Sequence, residues 1–484
     1  MNKQTWARWM TKLRNISWAL FLLALPVTSF PYFPKGMGGE TLVRPLSVYP
    51  LILLLVLATL PRLFKKRLPI TFLPWLVFLL MAFISSLLAL SLSPPPSQGI
   101  TVTSRLLRNF FALGLGSAIY LSVSLLPESW DDLKASLRWL YIGFGIALLW
   151  GSLQAVYVLH FSRPYFDWIS GIQSYFSTRK LFTTRISGLT YEPKWFAEQI
   201  CFLLIPWLVG AVIQNKSVFK WRYRRLTVEM ILLAWSVIVL IFTFSRSGLI
   251  ILGIVIIVSL LIFDPRERGE STVSGGKGAT KRGRRLMQTM IALALLSLAV
   301  FIVGSQNRFF SRIWRYWTEG EIQNKTFLEY IGFRSRLAYV ETAWRTFEAF
   351  PVFGVGLGNY ALYFDEMLPD QSWSRNPEII RLITPSDDSI RLITPKNLYA
   401  RLLAETGLLG TIAFTAFIIA ILGCVLFLWL SRGLDQEYWG LSGLLALIIF
   451  FLVMVSFDSF AIPNMWVVFG LITAAAHIPE GGDL

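Results

Sequence analysis

Histidine and cysteine are almost missing from this chain, with two of each in 484 residues. His160 and His477 stand far apart, and Cys201 and Cys424 both lie in apolar runs. Neither a metal cluster nor a disulfide is expected. A Walker loop and a G-x-S-x-G elbow are also lacking. Charge is scarce: 15% of residues are charged against 55% hydrophobic. That balance excludes a soluble enzyme held by a single anchor. Acids are fewer still, 28 against 45 Lys and Arg, for a formal net charge of +17. In a soluble protein this surplus would point to nucleic acid. Here much of it sits in short connections between apolar runs, where it acts as an orientation signal, and no nucleic-acid partner is expected.

What the chain has in quantity is apolar sequence, in runs able to cross the ~30 Å hydrocarbon core of a bilayer. Twelve spans are expected, near 16–33, 45–62, 69–93, 107–126, 138–160, 194–214, 226–244, 248–264, 286–304, 408–431, 439–457 and 461–477. The N-terminal "MNKQTWARWMTKLRN" and the apolar run after it have the outline of a signal peptide. No A-x-A-like site follows, so a retained first helix is expected. Basic stretches occur at the N-terminus (Lys3, Arg8, Lys12, Arg14), after the second span (Arg62, Lys65, Lys66, Arg67), after the sixth ("KSVFKWRYRRL") and after the eighth ("DPRERGESTVSGGKGATKRGRRL"). With an even number of spans and the N-terminus inside, all four fall on the cytoplasmic face, as do both chain ends. Residues 1–304 then hold the first nine spans, 305–407 form one large external loop, and 408–484 hold the last three spans and a cytoplasmic C-terminus.

The external segments run against the positive-inside trend. They carry Arg163, Arg179, Arg185, Arg246, Arg308, Arg312, Arg315, Arg334, Arg336, Arg381 and Arg391. For most of these, ordinary surface pairing with acids such as Glu341, Glu348 and Asp365 is the expected fate. Particular residues must carry the case for an external anion.

Three places supply them. In "TTRISGLTYEPKWFAEQ", Pro193 suits the first position of a helix and Glu192 its N-cap or a neighbour of it, which gathers Arg185, Gly188, Glu192 and Lys194 at a helix mouth. In "FTFSRSGLI", Ser245, Arg246 and Gly248 form a minimal turn between two very apolar helices, where an unpaired arginine is costly. Snorkelling to the interface would also account for Arg246. The long loop must have structure of its own. Apolar residues recur at helical spacing from Ser335 to Phe350, with Arg336 in the first turn. Pro351 stops that helix, and "GVGLG" follows as a permissive turn. This amphipathic helix is expected to lie along the membrane surface.

The same loop ends with a doubled "RLITP", at 381–385 and 391–395. Thr384-Pro385 and Thr394-Pro395 each read as a helix start. The first copy, followed by Asp387 and Asp388, reads as a tolerated duplication. The second leads into Lys396 and Asn397, where an ammonium beside helix N–H groups suits phosphate. Asn397, Arg401 and Glu405 then fall four apart, a polar stripe on an apolar rod.

In this order and on one side of the membrane, these motifs resemble the O-antigen ligase and polymerase superfamily. "RISGLTYEP" is similar to the family's arginine-containing loop before a span. "FSRSG" is similar to its Ser-Arg-Gly turn. "RLAYVETAWRTFEAFPVFGVGLGNY" resembles the start of its large-loop motif, with Arg336 at the family arginine. "NLYARLLAETGLLG" resembles its end. One position departs: the family has histidine immediately before that asparagine, and this chain has Lys396. In the ligases the histidine assists the acceptor's attack, whereas a protonated lysine is a poor base and a good phosphate clamp.

The resemblance implies an all-α, polytopic transmembrane bundle of about twelve spans with one large periplasmic loop containing amphipathic helices. It implies a multi-pass protein of the bacterial inner membrane. It implies a polyprenyl-diphosphate-linked glycan as donor, an acceptor glycan or lipid, membrane lipids around it, and neither metal nor cofactor. The glycan would pass to a sugar hydroxyl on the periplasmic face, in surface polysaccharide, exopolysaccharide or lipopolysaccharide assembly. Candidate catalytic residues are Arg185, Arg336, Glu192 and Lys396. Candidate substrate-binding residues are Arg246, Asn397, Arg391, Arg401 and Lys194. A carrier of a small anion such as bicarbonate is the competing reading, and it predicts internal repeats and charges at depth. A structural subunit of an envelope complex predicts exchangeable arginines.

Overall fold

The computed structural model describes residues 3–34, 42–65, 67–92, 94, 100–262, 278–318, 326–369, 378–380, 393–431 and 433–479. The chain is mostly helical. Among the described residues, strand pairing is confined to a short hairpin, Arg222–Tyr223 with Leu226–Thr227, and isolated bridges. Among the described residues, six helices are long and apolar enough to cross a membrane: Phe72–Leu92, Val102–Leu125, Trp130–Leu159, Pro193–Gln214, Leu398–Leu430 and Leu434–Val453. Shorter apolar helices are Val48–Leu63, Val228–Phe242, Arg246–Leu260, Met290–Ser305 and Asn464–His477. Lys3–Ala24 is the first helix.

Local chemistry explains several helix starts. Thr101, Ser129 and Thr227 each accept a hydrogen bond from the backbone N–H three residues on. The first helix differs from the expected span at 16–33. It begins at Lys3 and ends at Ala24, because Leu25 precedes Pro26 and the residue before proline is steered out of the helical region.

Two kinds of span follow from burial. In Pro193–Gln214, 83% of the apolar window is buried, against 33% in Phe72–Leu92. The first is buried on nearly every side and central. The second presents Leu73, Leu76, Leu80, Phe83 and Leu87 outward, a face suited to lipid and costly in water. Between them lies a close-packed aromatic core of Trp75, Phe78, Tyr120, Phe414, Phe417 and Trp466. Its polar atoms are satisfied within the bundle: Tyr120 bonds Thr71 at 2.5 Å and Thr473 at 3.0 Å, and Trp75 Nε1 donates to Ser117 at 2.8 Å.

Hydrogen bonds sort the helix ends into two sets. At one end Ser29 meets Thr178 at 2.6 Å, Gln154 holds the backbone of Ser187 and Gly188, and Arg105 donates to the Gly358 carbonyl at 2.7 Å. At the other, Arg62 pairs with Glu128 at 2.7 Å, and Lys134 and Lys216 share Asp435 at 3.0 and 3.2 Å. The segment 161–193 meets the chain after residue 305 through Asn307 and Thr184, so the two sit together. The basic stretches at Arg62 and Lys216 sit at the opposite end.

Arg334–Ala349 is the helix expected within the loop, with Arg336 in its first turn. The glycine turn after it has φ +70, +87 and +83 at Gly354, Gly356 and Gly358. It packs backbone to backbone on helix Leu398–Leu430, where Val355 and Gly356 N–H donate to the Ala404 and Glu405 carbonyls. A Cβ on Gly354 would come within 2.6 Å of Glu405 backbone. Helix Leu398–Leu430 is itself broken at Gly407, φ +62, which divides a short loop-side portion from the span.

Candidate functional site

The first cluster is built where helix Val228–Phe242 turns into helix Arg246–Ile262. Phe244 takes a left-handed φ of 48°, and Arg246 opens the next helix at once. Ile186 N–H donates to Phe242 O at 3.3 Å, which brings the segment carrying Arg185 to the same place. Asn307 Nδ2 donates to Thr184 O at 2.6 Å and delivers Phe309. The Arg185 guanidinium lies 3.9 Å from the Phe309 ring centre and 4.7 Å from that of Phe182. Arg246 faces Phe309 at 6.0 Å and donates to Ile331 O at 3.2 Å. Arg179 lies over Phe182 and Tyr191 and forms an ion pair with Glu192.

Of these three guanidinium groups, then, one is neutralised by a carboxylate. The Nε atoms of Arg185 and Arg246 are buried with no hydrogen-bond partner. Burial pulls the Arg185 guanidinium below its ordinary range. Glu192 opposes that effect, while the charges of Arg179 and Arg246 add to it. An anion accepting from Arg185 and Arg246 would satisfy the open donors and relieve the repulsion together.

The second cluster surrounds Lys396. Its backbone is left-handed, φ +53, and its N–H donates to Asp458 Oδ2 at 2.8 Å. Its ammonium lies 3.1 Å from Glu378 and 4.7 Å from the Tyr339 ring centre. Tyr339 donates to the same carboxylate at 3.1 Å. Burial lowers the Lys396 ammonium, the Arg336 charge lowers it further, and Glu378 only partly offsets them. Burial alone would raise the Glu378 carboxyl. Lys396, with hydrogen bonds from Ser335 and Tyr339, outweighs burial and holds it below the usual carboxylate range.

Helix Leu398–Leu430 begins after this cluster, with Asn397 as N-cap accepting from Ala400 N–H at 3.0 Å. This corrects the expected start at Thr394-Pro395, because the left-handed turn at Lys396 interrupts the helical path. Asn397 Nδ2 donates to Val455 O at 3.1 Å. Arg401 and Glu405 are buried and paired at 2.9 Å. Arg401 also donates to Asp458 O and Asn109 Oδ1, both at 2.6 Å. Arg401 is thus engaged on three sides. Lys194 is likewise taken up, by the Ser456 carbonyl and by Glu198 at 3.4 Å.

The predicted residues fall into two adjoining groups at one end of the bundle. Arg185, Glu192 and Arg246 form one. Arg336, Lys396, Asn397 and Arg401 adjoin the other. Arg246 bonds Ile331, just ahead of the helix that carries Arg336, and Asp458 and Ser456 lie on one connection between the last two helices. Arg391 and the whole first RLITP copy lie outside the described residues. Sequence reasoning missed Asp458, Glu378, Glu198, Arg105 and Phe309 as neighbours of the site. Asp458 had a signal, since an acid in the apolar "VSFDSFAIP" asks for a partner.

Residues 231–415 match the family described as O-antigen ligase. No curated protein matches the chain. The matched segment contains Arg246, Arg336, Lys396, Asn397 and Arg401, while Arg185 and Glu192 precede it. It lends no support to the small-anion carrier. That match, over somewhat more than a third of the chain, supports the O-antigen ligase and polymerase superfamily and membrane glycan transfer of that type.

Proposed function

We propose that the chain transfers a glycan from a polyprenyl-diphosphate carrier to an acceptor sugar hydroxyl, at the periplasmic face of a bacterial inner membrane. In this reading the bundle has twelve spans, and the end that carries both clusters faces the periplasm. The observation that carries it is the pair of open guanidinium donors, Arg185 and Arg246, stacked beside one phenylalanine. The acceptor oxygen bonds the anomeric carbon as the carbon–oxygen bond to diphosphate breaks. Charge then develops on the diphosphate, and fixed guanidinium groups stabilise it there. Arg185 and Arg246 hold the diphosphate, and Arg336 with Lys396 flank it. Glu192, steadied by Arg179, orients the acceptor hydroxyl and receives its proton. Lys396 reaches phosphate only by leaving Glu378.

Arg185→Ala and Arg246→Ala, each shown to insert normally, should lower transfer from a lipid-linked donor in membrane vesicles by about 100-fold or more. Arg185→Lys should recover little, because a lysine neither stacks nor forks as a guanidinium does. Transfer at the native rate by Arg185→Ala would end the proposal. Accumulated lipid-linked polymer in a deletion strain would mark a ligase, and loss of long chains a polymerase.

A further inference from the structure

Away from both clusters, a groove of about 780 Å³ runs along the first helix, Lys3–Ala24. Its lining changes character along its length. Arg8, Lys12 and Asn15 line one half. Ile16 and Leu20 line the other, with Trp139 from helix Trp130–Leu159. Among the described residues, no aspartate or glutamate lines it. Arg8, Lys12, Ile16 and Leu20 are four residues apart, so they share one helix face. The lining extends from Arg8 to Leu23. At 1.5 Å rise per residue that is about 22 Å of helix. A headgroup plus one leaflet of hydrocarbon, about 15 Å, fills that length.

The depth of the two halves is fixed by neighbouring contacts. Trp18 Nε1 donates to Ser136 Oγ at 2.9 Å, and Gly143 packs against the Leu23 backbone, so the two helices run side by side in the same direction. Arg14 lies close enough for its charge to act on Arg62. Arg62 in turn holds the Leu125 and Leu126 carbonyls, each at 3.2 Å, and pairs with Glu128. This ring of polar groups marks where the apolar slab ends. Ile16, Leu20 and Trp139 lie on its apolar side, and Arg8 and Lys12 are exposed beyond it.

We propose that this groove holds one anionic phospholipid, with its phosphate between Arg8 and Lys12 and one acyl chain along Ile16, Leu20 and Trp139. The charge pattern decides against a zwitterionic lipid, whose ammonium would find two cations and no carboxylate in the lining. An anionic headgroup gains from both cations.

The test is native mass spectrometry of the purified full chain, titrated in micelles with phosphatidylglycerol or phosphatidylcholine. Phosphatidylglycerol should be retained in preference. Arg8→Gln with Lys12→Gln should weaken its retention roughly 30-fold, the effect of losing two cations near a headgroup. Leu20→Trp fills the apolar half without changing charge and should also weaken retention. Equal retention of the two lipids would overturn the site. So would undiminished retention by the double variant. Retention lost in the double variant but kept in Leu20→Trp would show a diffuse surface attraction and also overturn it.

Discussion

At the scale of the residue, several cations at the site prove to be committed. Arg401 is neutralised by Glu405, Lys396 by Glu378, and Arg179 by Glu192. What separates Arg185 and Arg246 from these three is an open buried Nε on each. Composition could flag external arginines as a group, but it could not separate the paired from the unpaired. The partners come from distant segments: Glu378 lies 18 residues before Lys396, and Asp458 lies 57 residues after Arg401. The Glu378 pair also has a pH signature. A carboxyl whose folded pKa is depressed stabilises the fold above its unfolded value, near 4.3, and loses that contribution as pH falls through the folded value. Glu378→Gln should therefore lower the melting temperature of the detergent-purified chain at pH 6. The gap to the parent protein should close as pH falls below about 4. A gap that stayed constant with pH would mean that the carboxylate charge contributes nothing.

At the scale of the element, the helices were largely legible because apolar run length and helix length share one cause, the thickness of the slab to be crossed. The loop helix was legible for a different reason, its apolar period and the proline that ends it. Helix starts were less so. Pro395 suited a first helical position, yet the helix waits for Asn397, because the Asp458 contact and the left-handed Lys396 come from tertiary structure. The glycine turn was readable as permissive, but its use as a clasp on helix Leu398–Leu430 was not. Substitution separates the two roles. Gly354→Ala combines an unfavourable φ with a backbone clash and should cost roughly 3 kcal/mol or more. Gly332→Ala has a similar φ, +76, with nothing within 4 Å of the added Cβ. It should cost about 1 kcal/mol from backbone strain alone. Chemical denaturation in micelles measures both, and equal losses would refute the clasp.

At the scale of the whole molecule, the two sets of helix ends are set apart by their charges. One end carries basic connections anchored by Glu128 and Asp435. The other carries the arginine clusters and the long loop. The sidedness we propose predicts a labelling pattern. A cysteine placed at Ser174 should react with a membrane-impermeant maleimide in intact spheroplasts, and one at Lys220 only after permeabilisation. The native Cys201 is buried and should stay silent. Reaction of both positions from one side would break the arrangement. The grouping of Arg62, Lys216 and their neighbours at one end was anticipated by counting cations between apolar runs. The partition of the loop-bearing end into two adjoining clusters was not, since no local pattern encodes which loop will lie on which.

The left-handed turn at Lys396 carries one more consequence. That backbone shape admits asparagine, aspartate and histidine more readily than other side chains, and resists branched ones. The peptide N–H is anchored to Asp458 independently of whatever side chain the position bears. The socket is thus set by backbone contacts and not by this chain's amine, so the chemistry at this point can change without the scaffold moving.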